Sequence, residues 1–346
     1  MNILYINHPE ADFGGAFLYH GLCQLHGPEN VYDYPHKVSY HGATHYYSTS
    51  AIGNGMTAPF PWMPANPMLD WDTPFDENQV CDNGAMDDEV RQKLREGFFE
   101  LIVIESPRES AMSHWNKVRD AAAGHTVVVH EGEDYPEVGL SLIDAIKPEL
   151  YLKREFVPGT PNTYGTARII PFPFSFPNVR EIPVVDNPPL DVAMSCGNTW
   201  GLRQEIAEAF NANGRDLNKH IGLNPDKGGG IQNNEPLLPW FDYLAKMATA
   251  RMAVSARGFG FDTCRYWEVP HCTVMLCDNV DIQIPNGFTH KENCLKYDNA
   301  QHCVDLVRLW KDRHDELAEI RAAGKAHALA NHTTEARARY LMETLG

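Results

Sequence analysis

The sequence predicts an α/β protein built from two doubly wound domains that face each other across a cleft. Three observations carry this. Short apolar runs rich in β-branched residues alternate with helical patterns throughout the 346 residues, the signature of βαβ units around a parallel sheet. The length exceeds what a single hydrophobic core usually fills, about 250–300 residues. A run of prolines (Pro171, Pro173, Pro177, Pro183, Pro188 and Pro189) interrupts the pattern near the middle, and the α/β rhythm restarts after it.

The first domain is expected over residues 1–175. Ile3–Ile6 is its opening strand, followed by a loop containing Gly14 and Gly15. A helix over Ala16–Leu25 comes next, with Phe17, Leu18, Leu22 and Leu25 turned inward. Further strands are Leu101–Ile104, Val127–Val129 and the weaker Tyr151-Leu152. Residues 36–85 break the rhythm. Rich in His, Tyr, Pro, Gly and Asn, they read as a surface insertion of the kind that contacts substrates. The proline-rich 171–189 segment reads as a stiff linker.

The second domain is expected over 190–330. Leu190–Met194 is a strand, and Leu202, Ile206, Ala209 and Phe210 recur behind it at helical spacing. Phe241, Leu244, Ala245, Ala248 and Met252 form a helical face leading straight into a strand, Ala253–Ser255; Val274–Leu276 is another strand. Val304, Val307, Trp310, Leu317 and Ile320 mark one long helix, and Ala338, Leu341 and Leu345 a terminal helix within 331–346. There is no internal repeat.

Composition narrows the function. With 46 acidic against 29 basic residues, the net charge is −17. Lys and Arg are scattered, which disfavours non-specific nucleic-acid binding and anionic membranes. A small anion held by a few arginines remains compatible with that charge. The eight cysteines contain no C-x-x-C pair and read as reduced thiols. No apolar run approaches the ~18 residues of a membrane span, and the first residues lack a basic lead, so a cytoplasmic protein is expected.

Ligands of open α/β sheets bind beyond the carboxyl ends of the strands, which selects three segments. In the first, His8 to Gly15, the glycines would let the backbone approach a ligand, although a Gly-Gly at a βα turn is equally explained by sterics. In the second, Glu131, Glu133 and Asp134 crowd a strand end beside His130. Like charges that close raise one another's pKa, which suits a general base, or else the loop is simply solvated. Glu105 occupies a similar strand end with less crowding.

The third segment runs from Ser255 to Glu268. Gly258 and Gly260 open the backbone before a helix, where unpaired N–H groups favour phosphate. Arg257 and Arg265 can supply bidentate charge to a pyrophosphate, and Glu268, three residues after Arg265 on the same helix face, could accept from a ribose diol. An ordinary structural Arg–Glu pair explains that helix equally well.

Lesser candidates complete the set. Asp70-Trp71-Asp72 matches a D-x-D pattern but sits among prolines. His41 and His45 have helical metal-pair spacing in a loop-like context. Lys227–Gly230 reads as a flexible connection. Asn198, Thr199 and Arg203 follow a strand and could approach phosphate, and His8 could touch a sugar or cap its strand.

The stretch Arg257-Gly-Phe-Gly-Phe-Asp-Thr-Cys-Arg-Tyr-Trp-Glu268, followed by a strand and Tyr297-Asp298, resembles the donor-binding half of GT-B glycosyltransferases. It is closest to the CgeB-type and exostosin-like groups. Ile3–Ile6, Leu18–Leu22, Val31–Pro35 and His332–Ala338 are similar to the same proteins, so the likeness touches both halves. It implies two Rossmann-like domains, with an acceptor on the N-terminal one, a nucleotide-diphosphate sugar on the C-terminal one, and a terminal helix that can cross back. It also implies no cofactor and no obligatory metal.

By the same resemblance, Glu268 holds the ribose hydroxyls, Arg257 and Arg265 the diphosphate, and Asp262 the loop or the sugar. Asp12, Glu131 and Glu133 are the candidate catalytic bases, while Gly14, Gly15, Gly258 and Gly260 line the donor. Retaining relatives often carry two Glu eight residues apart, but Gly260 stands eight before Glu268. The acceptor could be a glycan, a small molecule, a protein or a hydroxymethylated DNA base. A sugar-nucleotide-binding protein without catalysis is the rival class.

Overall fold

The computed structural model describes residues 1–8, 12–37, 40, 80–81, 84–106, 108–178, 181–197, 201–224 and 240–346. The chain opens with β1 (Ile3–Ile6) and α1 (Phe13–His26), then β2 (Val31–Tyr34) and a short antiparallel ribbon of β3 (His36–Lys37) and β4 (Val80–Cys81). There follow α2 (Gly84–Arg95), β5 (Leu101–Glu105), α3 (Glu109–Val118), β6 (Thr126–Glu131), α4 (Leu140–Ile146), β7 (Leu150–Lys153), β8 (Thr163–Tyr164) and β9 (Ala167–Pro171). Seven of these strands form one sheet in the order β2-β1-β5-β6-β7-β9-β8. Every pairing is parallel except the β8–β9 hairpin. Ile3, Leu4, Tyr5 and Ile6 are all fully buried, as a central parallel strand covered on both faces requires.

The second half contains β10 (Leu190–Gly197), α5 (Leu202–Asn213), β11 (Lys219–Asn224), α6 (Trp240–Ala248), β12 (Ala250–Ser255) and α7 (Cys264–Glu268). It continues through β13 (Val274–Asp278), β14 (Leu295–Tyr297), α8 (Ala300–Trp310), α9 (His314–Asn331) and α10 (Thr334–Leu345). Its five strands form an all-parallel sheet ordered β11-β10-β12-β13-β14. In both sheets the chain reverses direction across the sheet next to its first strand, β1 or β10, which places a ligand crevice at the carboxyl ends there.

Two expectations change. The helical face read through Met252 ends at Ala248, and Met252 lies on β12. There its side chain packs with Val192, Val254 and Val274, so burial on the sheet overrides the helical spacing. The single long helix is two, α8 and α9, separated by Lys311-Asp312-Arg313. The break lets Trp310 and Leu317 enter the same core, and Asp315 and Glu316 in the first turn of α9 favour a helix start. The 171–189 segment, expected as a stiff linker, is also packed: Phe172, Phe174, Phe176 and Ile182 are buried. Phe174, Phe176 and Ile182 share a core with Phe17 of α1 and with Leu244, Trp267 and Phe288.

The terminal helix α10 crosses back onto the first sheet's side. Ala338 and Leu341 pack with Tyr19 and Leu22 of α1. The approach is so close that a Cβ on Gly21 would overlap the Thr334 carbonyl. Thr333 caps α10 by accepting from the Ala336 N–H at 3.1 Å. Among the described residues no helix is long and apolar enough to cross a membrane.

Candidate active site

At the carboxyl end of the first sheet, β1 delivers His8, β5 leads into Glu105 and Ser106, and β6 ends on His130 and Glu131. All are buried. Asp12, expected as a candidate base, is the N-cap of α1. It accepts from the Gly15 N–H at 2.9 Å and from the Ser106 hydroxyl. Burial alone would raise its carboxyl, but His8, the charge of His130, Ser106 and the Gly15 amide together hold it well below the usual range. Such a carboxylate is a poor proton acceptor.

His8 Nε2 lies 3.5 Å from Glu105 Oε1 and 3.7 Å from Asp12 Oδ2. Glu105 also receives Lys37 Nζ at 3.2 Å and the Tyr40 hydroxyl at 2.5 Å. Burial raises Glu105, and Lys37 and His8 recover part of the shift. Among the described residues, His8, Asp12 and Glu105 alone converge as a metal would need, with ligand atoms within 4.8 Å of one another. Glu105 there also pairs with Lys37, and Asp12 also caps α1.

Gly14 and Gly15 lie inside α1 and give room to side chains behind it rather than to an open ligand face. A Cβ on Gly14 would come within 2.6 Å of His130 Cε1, and one on Gly15 would overlap the Glu105 carboxyl. Burial brings His130 down to about 4, so it is neutral there at pH 7.

The expected crowd of like charges after β6 is a set of ion pairs. Glu131 binds the buried Lys153; burial raises its carboxyl and Lys153 lowers it again. Glu133 is bound at 2.8 Å by Arg108 Nε, and Asp134 by Arg154. Of the candidate bases only Glu133 is substantially exposed, with 37% of its side chain open.

The second sheet presents a different surface. Arg203 from α5 donates its Nε to the Ala256 carbonyl at 3.1 Å. Arg265 from α7 donates its Nε to the Ser195 carbonyl at 2.7 Å. The two arginines thus reach across the ends of β10 and β12 toward each other. Burial lowers the Arg203 guanidinium, and repulsion from Arg265 lowers it further. Among the described residues Arg265 makes no ion pair; its guanidinium lies 5.9 Å from the Tyr243 ring centroid. Glu268, one turn along α7, is half-buried, and its charge adds to burial in pushing the Tyr243 phenol up.

Other residues of the Arg257–Glu268 stretch make contacts within the protein. Arg257 is held by Asp278 at the end of β13, through its backbone N–H at 3.1 Å and Nε at 3.2 Å. Gly258 makes room for Arg203, whose Nη2 would be 2.8 Å from an added Cβ. Three amides of the turn are used within the protein. Gly258 N–H closes the turn on the Gly260 carbonyl at 3.1 Å, and the Phe261 and Asp262 N–H groups donate to Glu155 at 3.0 and 3.1 Å. Glu155 belongs to the first half of the chain, and a Cβ on Gly260 would overlap its Oε1. With α7 only five residues long, the arginine side chains, not a helix terminus, make this end positive.

Asp262 supports the loop. It is buried and accepts from the Phe174 N–H at 2.6 Å and from Trp267 Nε1 at 2.7 Å. Burial raises its carboxyl, and Arg154 and Arg337 pull it back. Sequence reasoning passed over Arg154, Glu155, Asp278 and Arg337. The signal for the first two was the charged run Lys153-Arg154-Glu155 closing a buried strand. Asn198, Thr199, Asp70-Trp71-Asp72, His41, His45, Lys227–Gly230 and most of the 36–85 insertion lie outside the described residues.

Comparison with known proteins bears on the fold. Residues 203–343, which contain both arginines, match the family described as glycosyl transferase-like. Three solved structures superpose along the whole chain. HepE of Anabaena in complex with UDP-glucose has 10% identity, covers 100% of this chain and 99% of its own, and gives a TM-score of 0.56. A glycosyltransferase from Rickettsia africae has 9% identity, 99% and 97% coverage and a TM-score of 0.56. Sucrose-phosphate synthase from Thermosynechococcus elongatus has 10% identity, 100% and 98% coverage and a TM-score of 0.57. No curated protein matches by sequence. The fold is that of the GT-B class, two Rossmann-like domains about a cleft. The family match spans 203–343, and the superpositions show the GT-B fold along the whole chain.

Proposed function

We propose that the chain transfers a sugar from a nucleotide-diphosphate donor, held by the 190–330 domain, to an acceptor hydroxyl presented by the 1–175 domain. One observation carries this reading: Arg203 from α5 and Arg265 from α7 anchor on the Ala256 and Ser195 carbonyls, which sets two guanidinium groups at the carboxyl ends of β12 and β10. A close cationic pair is relieved by an anion carrying more than one charge, and a diphosphate fits it by charge and by forked hydrogen bonding. HepE, of the same fold, is seen with UDP-glucose, which makes a uridine donor the first to test.

In this reading the two arginines offset the negative charge that develops on the departing diphosphate. Glu268, a turn from Arg265, takes the ribose hydroxyls. Glu133, the exposed member of the three candidate bases, takes the acceptor proton once Arg108 releases it. The chemistry asks for no metal, since the arginines supply the positive charge. Calorimetric titration with UDP tests the site. Arg265→Ala should weaken binding by about 10–100-fold, the worth of lost charge-assisted hydrogen bonds. Unchanged affinity in Arg265→Ala and Glu268→Ala would remove this assignment.

A further inference from the structure

A cavity of about 370 Å³ opens at the carboxyl ends of β6 and β7, lined by Arg108, Glu131, Glu133, Tyr135, Glu137 and Tyr151 among others. The volume is within the range of small-ligand pockets and suits one or two sugar rings rather than a protein segment. Two of its three glutamates are balanced, Glu131 by Lys153 and Glu133 by Arg108. Among the described residues Glu137 makes no ion pair, which leaves the rim negative. Carboxylates accept hydrogen bonds from neighbouring hydroxyls and repel phosphate.

The mouth is aromatic. Tyr135 is 53% exposed and Phe259 77% exposed, the most exposed aromatic rings among the described residues. They meet edge to face with centroids 5.6 Å apart. Tyr135 belongs to the first domain, and Phe259 is the tip of the glycine turn beside Arg203. Phe259 thus meets the cavity's rim at Tyr135, and the exposed rings offer faces on which the C–H side of a pyranose can stack.

We infer that this cavity is the acceptor subsite and that it takes an uncharged sugar, with its hydroxyls on the glutamates and its ring against Tyr135 and Phe259. Phosphorylated sugars and DNA are rejected by the same carboxylates. The inference rests on the transfer reaction proposed above and adds the chemical class of its acceptor.

The test is saturation-transfer NMR on the full chain with UDP present. The probes are a panel of methyl glycosides (gluco, galacto, manno and N-acetylglucosaminide) and the corresponding 6-phosphates. At least one neutral glycoside should show transfer, reduced about tenfold or more in affinity by Tyr135→Ala and by Phe259→Ala, with its 6-phosphate weaker by a similar factor. Glu137→Lys should narrow the gap between the two. Both aromatic positions are exposed, and a melting curve for each variant confirms folding. Equal or tighter binding of the 6-phosphates overturns the inference, as does a panel in which no glycoside binds in a Tyr135-dependent way. UDP titration of the same samples separates the claims: UDP bound without glycoside binding sinks the acceptor class alone, while absence of UDP binding sinks the donor site itself.

Discussion

Asp12 shows how one residue's job is decided by what surrounds it. Its position between a strand and a glycine pair is where a catalytic carboxylate could stand, yet its oxygens go to the Gly15 amide and the Ser106 hydroxyl. Its folded-state pKa is held below that of the unfolded chain. The ionised form therefore contributes stability above about pH 4, and the contribution is lost as pH falls through the folded value. Asn caps a helix as well as Asp but cannot carry the charge. Asp12→Asn should thus cost about 2 kcal/mol at neutral pH by urea unfolding, the worth of hydrogen bonds to a charged group, with the gap to wild type closing below about pH 4. A gap that stays constant with pH would count against the ionised cap.

The turn between β12 and α7 is an element shaped by its opposite number in the other domain. Glu155 receives the Phe261 and Asp262 amides, and Gly260 is bare because the Glu155 carboxyl fills the space of a side chain. Gly260→Ala should therefore destabilise the protein by about 1–3 kcal/mol through overpacking. In a double-mutant cycle, Glu155→Ala should relieve most of that penalty, since the two positions are in contact; strictly additive losses would contradict the contact.

This turn also marks the limit of what could be read from the sequence. Arg265 and Glu268 were legible as a pair because helical spacing fixes a shared face. The strands Ile3–Ile6, Leu101–Ile104 and Val127–Val129 were legible from continuous apolar runs. The glycines were ambiguous for a physical reason: a missing Cβ gives the same sequence signal whether the approaching group is a phosphate, Glu155, Arg203 or His130. The partners that decide between those lie about a hundred residues away in the chain for Glu155 and more than fifty for Arg203. β11 and β14 were missed because Lys219-His220 and the three-residue Leu295–Tyr297 carry too little apolar pattern to stand out from a loop.

At the scale of the whole molecule, the halves are joined by more than the backbone crossing between them. Asp262 links Phe174 to Trp267, Phe17 shares a core with the second half, and α10 lies against α1. Leu341 sits in that last contact, fully buried. Leu341→Ala should cost about 2–5 kcal/mol, as large-to-small changes in a core do. It should lower the melting temperature without changing UDP affinity in the surviving folded fraction, because Leu341 lies in the first domain's core, away from the arginine pair. A melting temperature equal to wild type would mean that α10 is not part of the packed core.

The return of α10 to α1 has a consequence for how the protein is made. β1 and α1 leave the ribosome early, but the surface of α1 around Gly21 and Leu22 has no cover until residues 334–345 have emerged. At about 5–20 residues per second that delay is tens of seconds. For that interval the nascent first domain carries a sticky flank, which chaperones can recognise. The packing of the first domain is therefore completed only after the second has been made.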